Sequence, residues 1–295
     1  MKMDNACYPC LVRNALDVAG LATKDAAVQR RILIETMTHL SGADPGSPPP
    51  LIARFIQETT AGLTGVPDPY RGLKQRYNAM ALELYPKLEA LKQRAADRFD
   101  AAVRLSVAGN IIDFGVVSAV GRDTLLATIA HAMDTRVRGR IEMLKQAVDR
   151  AGHILWIGDN AGEIVFDRLL LAEMDCRKIV YAVRGAPVQN DATREDAAAA
   201  GLDKIVRVID SGAAIPGTLI GHCSPEFVRE FNRADLVISK GQGNFETLDH
   251  DDPRIFFLFK AKCPVVAGCG GWDLGDVVVK ACGTGTETDP EQIPE

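Results

Sequence analysis

The chain has 295 residues and a formal net charge of −5, with 47% hydrophobic and 25% charged residues. This length suggests about two domains, and the composition is that of a globular protein with a sizeable core. The negative charge argues against a general nucleic-acid-binding protein, whose surface is more often basic. No apolar run approaches the ~20 residues that span a bilayer. The N-terminus lacks the apolar segment of a signal peptide, so we expect a cytoplasmic protein without a membrane partner.

Apolar residues with helical spacing dominate the first half of the chain. Leu33, Met37 and Leu40 fall at i, i+4 and i+7, and similar stripes recur up to residue 150. Residues 41–50 contain three consecutive prolines, which cannot continue a helix, so they predict a loop. We therefore predict a helical region over residues 1–150.

After residue 150 the pattern changes to short apolar runs rich in Val and Ile and bounded by Gly, Asp or Asn. These predicted strands are His153–Ile157, Lys178–Val183, Ile205–Ile209, Leu236–Ile238, Val265–Ala267 and Val277–Val279. Several are separated by segments long enough for a helix. Continuous apolar strands alternating with helices are typical of a parallel sheet covered on both faces. Residues 151–295 are therefore predicted to form a doubly wound α/β domain, which binds ligands at the carboxyl ends of its strands.

The first predicted strand ends in the sequence GDNAGE at residues 158–163, and a helix is expected to follow it. The turn is not a dinucleotide fingerprint, because Asn160 occupies the position of the second glycine. Asp159, Asn160 and Glu163 instead supply oxygen atoms that suit a hard divalent cation such as Mg²⁺ or Mn²⁺. The simpler alternative is that Asp159 or Asn160 only caps the helix.

The second predicted strand is followed by Asn190 and Asp191, again where a helix is expected to begin. Each pair taken alone is explained by helix capping. If the first two strands are neighbours in the sheet, however, Asp159, Asn160 and Asp191 converge on one ion. The sequence therefore predicts a metal site at this edge of the sheet.

A glycine-rich segment, KGQGNFE at residues 240–246, follows the fourth predicted strand. Gly241 and Gly243 allow a sharp turn that presents N–H groups to an anion. Lys240 would add a positive charge for phosphate oxygens, and Asn244 a hydrogen-bond donor. The alternative is an ordinary turn with a solvated lysine. The segment is not a Walker A loop, because its lysine precedes the glycines.

The segment GNIIDFG at residues 109–115 places Asn110 and Asp113 in an apolar stretch of the helical region. Buried polar side chains need hydrogen-bond partners, so these two either cap helices or reach the site from the helical side.

Cys7 and Cys10 form a C-x-x-C pair, which is half of a four-ligand zinc site. The sequence identifies no second half, although Cys263 and Cys269 could supply it if they lie nearby in space. A redox role is an alternative, although the pair does not follow a thioredoxin-like strand. The odd number of scattered cysteines does not indicate a disulfide framework.

Taken together, these motifs resemble the damage-control phosphatase family, long catalogued as domain of unknown function 89. The matching segments follow one another in order along most of the chain. They are Cys7–Cys10, residues 109–115, residues 158–163, Asn190–Asp191, residues 240–246 and Lys262–Pro264. The C-x-x-C pair is similar to the bacterial and archaeal branch of that family.

The resemblance implies a helical region beside a Rossmann-like three-layer α/β/α domain with a mostly parallel sheet. It also implies that Asp159, Asn160 and Asp191 are metal ligands and that Lys240 holds the substrate phosphate. Members of the family use Mn²⁺, Co²⁺, Ni²⁺ or Mg²⁺ to hydrolyse phosphate esters of small metabolites, including sugar phosphates and damaged phosphometabolites.

The sequence thus favours a metal-dependent phosphatase whose partner is a small phosphorylated metabolite. We expect the ion to offset charge on the phosphoryl group. Lys240 and the N–H groups near Gly241 and Gly243 are expected to bind the remaining oxygens. Glu163 is expected to orient the ligands or to act as a general base. The nucleophile is expected to be a water on the ion, or the carboxylate of Asp159 or Asp191.

Three other interpretations compete with a phosphatase. A Rossmann-like protein could bind a nucleotide or phosphometabolite without hydrolysing it. A glycine-containing turn after the first strand also occurs in S-adenosylmethionine-dependent methyltransferases, although the acidic and amide groups of GDNAGE suit a cation better. Cys7 and Cys10 could instead form a zinc or redox interaction module. The sequence leaves the oligomeric state open.

Overall fold

The computed structural model describes residues 1–109, 133, 135–248, 250 and 252–282. Within these residues the chain is a mixed α/β protein. Its helices are α1 (Cys7–Ala22), α2 (Ala26–Ser41), α3 (Pro49–Thr64), α4 (Arg71–Arg94), α5 (Arg98–Ala108), α6 (Ile141–Arg150), α7 (Glu163–Leu171), α8 (Arg194–Ala199), α9 (Pro225–Arg233), α10 (Gln242–Thr247) and α11 (Pro264–Gly270). Its strands are β1 (Val137–Gly139), β2 (Ile154–Ile157), β3 (Ile179–Val183), β4 (Arg207–Asp210), β5 (Leu236–Lys240), β6 (Ile255–Lys260) and β7 (Val277–Ala281).

The first three helices pack around a small core of their own. Leu11, Ala15 and Val18 form the buried stripe of α1 at helical spacing. They meet buried apolar residues of α2 and α3 in one cluster. The proline run opens α3, because Pro49 lies in the first turn, where a missing N–H costs no hydrogen bond.

One sheet contains the seven described strands in the order β1-β7-β6-β5-β2-β3-β4. Its neighbouring strands are parallel, except that β6 and β7 are antiparallel. The expected Rossmann-like, mostly parallel sheet is therefore confirmed. No described helix is long and apolar enough to cross a bilayer.

Helices cover both faces of the sheet, as the uninterrupted apolar strands predict. In β2, Ile154 and Trp156 face one core, which α4, α5, α6, α7 and α8 also enter. Leu155 and Ile157 face the opposite core, to which α9, α10 and α11 contribute. This alternation produces the three-layer arrangement. Helices α4 to α6 share a core with the sheet, whereas α1 to α3 form a core of their own. The division of the chain into two domains at residue 151 therefore stays a prediction.

One predicted strand is helical in the structure, and two observed strands were not predicted. The run Val265–Ala267 lies inside α11, where Pro264 occupies the first turn and Cys263 the N-cap position. Short apolar runs do not distinguish a strand from a buried helical turn. The strand β6 was not predicted, although its sequence IFFLFK is continuously apolar up to Lys260. The edge strand β1 is only three residues long and carries too little pattern.

The strand order places a crevice beside β2. From β2 the chain builds β3 and β4 on one side, and it then returns to form β5 on the other side. The loops after β2 and β5 therefore diverge, and open α/β sheets bind their ligands at such a point. Asp159 follows β2 here, and Gly241 follows β5.

Candidate functional site

Asp159 and Asp191 come together because β2 and β3 are parallel neighbours. The loops beyond the two strands are joined by backbone hydrogen bonds. The N–H of Ala192 donates to the carbonyl of Asp159 at 2.8 Å, and the N–H of Ala161 donates to that of Asn190 at 2.9 Å. Both aspartates are buried, with 8% and 3% of their surface exposed. The convergence predicted for neighbouring strands is thus present.

Asn160 connects the carboxylates of Asp159 and Glu163. Its Nδ2 donates to Oδ2 of Asp159 at 2.6 Å and to Oε2 of Glu163 at 3.2 Å. Glu163 is 1% exposed and opens α7. A carboxylate in the first turn of a helix is favoured by the helix dipole.

The two aspartates lie in an electrostatically negative environment. Burial raises the pKa of Asp159 well above its usual range, and the charges of Glu163 and Asp191 raise it further. Burial also raises the pKa of Asp191, and the Arg184 guanidinium opposes that shift. Carboxylates raise one another's pKa because their negative charges repel, and a bound cation would offset this excess of negative charge.

The residues present fit a hard divalent cation. Asp159 and Asp191 supply two carboxylates, and Asn160 supplies an amide oxygen, which are ligand types that Mg²⁺ and Mn²⁺ accept. Over the described ranges, no group of three or more His, Cys, Asp or Glu side chains is arranged around a metal position. Two carboxylates with one amide are a different donor set, and they meet at one cavity wall.

This cavity has a volume of about 290 Å³ and lies between the carboxyl ends of the strands and helices α1 and α3. Asp159, Asn160 and Asp191 line it from the sheet. From the helices it is lined by Cys7, Cys10, Leu11, Asn14, Pro49, Pro50 and Ala53. Gln189 Nε2 donates to Oδ1 of Asn14 at 3.2 Å, which ties α1 to the loop after β3.

Lys262 is the only Lys or Arg side chain among the described residues that line the cavity. It is exposed, and its charge lowers the pKa of Asp159 against the effect of burial. It follows β6, a strand that the sequence did not predict, and it was named above only within the matching segment Lys262–Pro264, without a role in the site. The Phe-rich run before it is the signal that would have found both.

Lys240 lies behind the cavity wall. Its side chain is completely buried, and its Nζ lies 2.9 Å from Oε1 of Glu163 and also pairs with Asp167. It donates to Ser106 Oγ at 2.8 Å as well. The structure therefore surrounds the Lys240 ammonium with protein oxygens and does not bring it to the cavity surface.

The glycine-rich segment contributes to the site by close packing. Gly241 has a φ of 83°, and a Cβ built on it would lie 2.0 Å from Oδ2 of Asp159. Its N–H donates to the carbonyl of Leu258, so this group is not directed at a ligand. Gly243 lines the cavity.

Asn244 is buried and supports the site from behind. Its Oδ1 accepts from Arg184 Nη2 at 3.1 Å and from Thr218 Oγ1 at 2.8 Å. Its Nδ2 donates to the carbonyl of Lys240 at 2.7 Å. The remaining predicted contacts, Asn110 and Asp113, lie outside the described residues.

Arg184 is a site residue to which the sequence analysis gave no role. Its Nε donates to Oδ2 of Asp191 at 2.6 Å, and its Nη1 donates to the carbonyl of Gly217 at 2.8 Å. The signal was a charged residue directly after the buried strand β3.

The C-x-x-C pair lies at the cavity rather than at a separate zinc site. Cys7, Cys10 and Cys263 all line the cavity, and the Cys263 charge raises the pKa of both other thiols in addition to burial. Cys263 therefore lies at the same cavity as the pair, whereas Cys269 does not line it. Cys7 and Cys10 belong to no described group of three or more ligands arranged for a zinc ion.

Known proteins are similar to this one over most of its chain. The family model for the "Damage-control phosphatase ARMT1-like domain" matches residues 3–278. A damage-control phosphatase of Pyrococcus horikoshii is 34% identical over 273 residues, which are 90% of this chain and 93% of that protein. A damage-control phosphatase of Archaeoglobus fulgidus is 32% identical over 292 residues, 95% of this chain and 99% of that protein.

The structural comparison agrees with the sequence comparison. The crystal structure of a DUF89 family protein from Pyrococcus horikoshii superposes with a TM-score of 0.87 at 33% identity. The match covers 96% of this chain and 99% of that one. The chain therefore belongs to the damage-control phosphatase family.

Proposed function

We propose that this protein is a metal-dependent phosphatase that hydrolyses small phosphorylated metabolites. A divalent cation, Mn²⁺, Mg²⁺, Co²⁺ or Ni²⁺, would be held by Asp159, Asn160 and Asp191. The observation that carries the proposal is the pair of buried aspartates with raised pKa values at the wall of a cavity that also presents Lys262. The damage-control phosphatase names of two relatives support the same reaction class.

The ligands are held before any ion binds. Arg184 fixes Asp191, and Asn160 hydrogen-bonds to Asp159. When bound, the cation would polarise the phosphoryl group and offset its negative charge. Since the supporting side chains are buried, little rearrangement is needed to form the site.

Lys262 is the residue we assign to the substrate phosphate in place of Lys240. Lys262 lines the cavity, whereas the ammonium of Lys240 is enclosed by Glu163, Asp167 and Ser106. A lysine on the same cavity as the two aspartates binds the phosphate oxygens that the metal does not.

The size of the cavity favours small substrates. About 290 Å³ is at the lower end of the range for small-molecule sites. The cavity lining also includes Asn14, Gln189 and Gln242, whose amides can hydrogen-bond a polar leaving group. A phosphate monoester of a small polar metabolite suits this space.

The test is phosphate release from para-nitrophenyl phosphate by metal-stripped protein, with each of the four metals added back. We expect metal-dependent turnover that is lost in Asp159→Asn and Asp191→Asn and kept in Asp203→Asn, an exposed control. Tight binding of phosphate esters without release would favour the non-catalytic binding protein. Wild-type turnover in both site variants would contradict the assignment.

A further inference from the structure

Lys240 is a buried cation enclosed by oxygen atoms from two helices. Its Nζ lies 2.9 Å from Oε1 of Glu163, pairs with Oδ1 of Asp167, and donates to Ser106 Oγ at 2.8 Å. Burial lowers the pKa of Lys240, but the two carboxylates outweigh that effect and hold it above its usual value. The lysine therefore stays charged and fixed in position.

Asp167 is held equally firmly, although no motif of the sequence includes it. Its Oδ2 accepts from Tyr181 Oη at 2.6 Å and from Trp156 Nε1 at 3.2 Å. Its Oδ1 accepts from Ser106 Oγ at 2.7 Å as well as from Lys240. A carboxylate with four donors cannot rotate without losing buried hydrogen bonds, so it anchors the ammonium.

A continuous chain of contacts runs from this anchor to the cavity. Lys240 binds one oxygen of Glu163, and the other oxygen accepts from Asn160 Nδ2 at 3.2 Å. The same Nδ2 donates to Asp159 at 2.6 Å. An amide nitrogen has two hydrogens, and both are thereby used. The Oδ1 atom of Asn160 is left as the polar atom of this side chain that can serve the cavity.

We propose that Lys240 and Asp167 are positioning residues, which act through Glu163 to direct Oδ1 of Asn160 toward the cation. This inference rests on the proposed function, because it concerns the ion held by Asp159, Asn160 and Asp191. Neither Lys240 nor Asp167 lines the cavity. Their part is to fix the Glu163 carboxylate, and Glu163 selects one of the two orientations of the Asn160 amide.

Charge and positioning predict opposite effects when Lys240 is removed. If the lysine were only a nearby positive charge, Lys240→Met would strengthen cation binding, because a repelling charge is gone. If it positions Glu163, the same change frees Glu163 and Asn160 to rotate. We then expect the affinity for Mn²⁺ to fall by about 10- to 100-fold, as for other residues that orient metal ligands.

The experiment is calorimetric titration of metal-stripped protein with Mn²⁺ in the absence of substrate. Lys92→Met is the matched control, because Lys92 is also fully buried between two carboxylates, Glu89 at 3.0 Å and Glu173 at 2.8 Å. Both variants lose a buried ion pair, so both should melt at a lower temperature. Only Lys240→Met should bind Mn²⁺ more weakly.

Two further variants keep the test decisive if Lys240→Met does not fold. In Glu163→Gln, the glutamine Oε1 would still accept from Lys240, so the glutamine Nε2 would face Asn160. Two amide nitrogens cannot hydrogen-bond to each other, so the Asn160 amide would have to flip. Mn²⁺ affinity should again fall, whereas an Asn160→Ala background should remove most of the additional loss.

The outcomes separate the two proposals. If wild-type protein binds none of Mn²⁺, Mg²⁺, Co²⁺ and Ni²⁺, the proposed metal-dependent function is wrong. If wild-type protein binds Mn²⁺ while Lys240→Met or Glu163→Gln binds it as tightly or more tightly, only the positioning role is overturned. An equal loss from Glu163→Gln in the wild-type and Asn160→Ala backgrounds would also overturn it.

Discussion

The Nε atom of Arg184 lies 2.6 Å from Oδ2 of Asp191, and both side chains are almost completely buried. Arg184 holds down the pKa of Asp191, although burial still leaves it raised. Removing the arginine would leave a buried carboxylate without its partner, at a cost of about 3–5 kcal/mol. We therefore expect Arg184→Met to lower the melting temperature strongly and to weaken Mn²⁺ binding.

Arg194→Met is the control for this prediction. Arg194 also pairs with a carboxylate, Asp210, but its side chain is 53% exposed. Exposed pairs contribute about 0–1 kcal/mol, so this variant should melt close to the wild type. Equal melting temperatures for the two variants would contradict the structural role given to Arg184.

The substitution Gly241→Ala should damage the site without changing any charge. Its Cβ would lie 2.0 Å from Oδ2 of Asp159, and its φ of 83° is strained for alanine. Asp159 would have to move, so we expect weaker Mn²⁺ binding in calorimetry and loss of turnover. Gly221→Ala is the control, because nothing lies within 4 Å of its Cβ position. Unchanged Mn²⁺ affinity in Gly241→Ala would show that Asp159 is not a ligand in its present position.

Lys262→Ala should weaken substrate binding. A hydrogen bond to a charged group contributes about 1.5–3 kcal/mol, so we expect kcat/KM for a phosphate ester to fall by roughly 10- to 100-fold. Mn²⁺ affinity should not fall, because a positive charge near the ion has been removed. Lys262→Arg should keep more activity than alanine. The exposed Lys204 supplies the control variant Lys204→Ala, and matching kinetics for it and Lys262→Ala would refute the assignment.

Alkylation of Cys10 should block the cavity. The residue is exposed and lines the cavity, while partial burial of its thiol and the charges of Cys263 and Glu246 raise the thiol pKa. The thiolate fraction is therefore small at neutral pH and grows as pH rises, so inactivation by N-ethylmaleimide should accelerate with pH. Cys10→Ser should resist it. The comparison variant is Cys269→Ser. Cys269 is exposed but does not line the cavity, so this variant should still be inactivated by N-ethylmaleimide.

The cavity wall that carries Asp159 and Asp191 could be predicted from sequence because it depends on local rules. A buried strand followed by Asp159 and a neighbouring strand followed by Asp191 place both side chains at one sheet edge. Parallel register alone then brings them together. The predicted positions of β2 and β3 were accurate enough for this step.

The environment of Lys240 could not be predicted, because its partners are distant in sequence. Ser106 lies 134 residues away, and Asp167 lies 73 residues away and outside every motif of the sequence. In sequence, a lysine at a strand end beside glycines is equally typical of a phosphate-binding lysine and of a lysine in a buried ion pair. Only the packing of α5 and α7 against β5 distinguishes the two.

The position of Lys262 beside the aspartates was not predicted, because strand β6 before it was not predicted. Once Ile255–Lys260 is recognised as a strand, Lys262 follows a strand end near Asp159, as Asp191 does. The strand predicted at Val265–Ala267 was wrong, because a helix that begins with a proline can contain the same run of apolar residues as a strand.

The most direct test of the metal site is anomalous diffraction from crystals soaked in MnCl₂, measured on both sides of the manganese absorption edge. We predict one strong peak within ligand distance of Asp159, Asn160 and Asp191, and its loss in Asp191→Asn crystals. A peak at Cys7 and Cys10 alone, or no peak between the two aspartates at saturating Mn²⁺, would contradict the account.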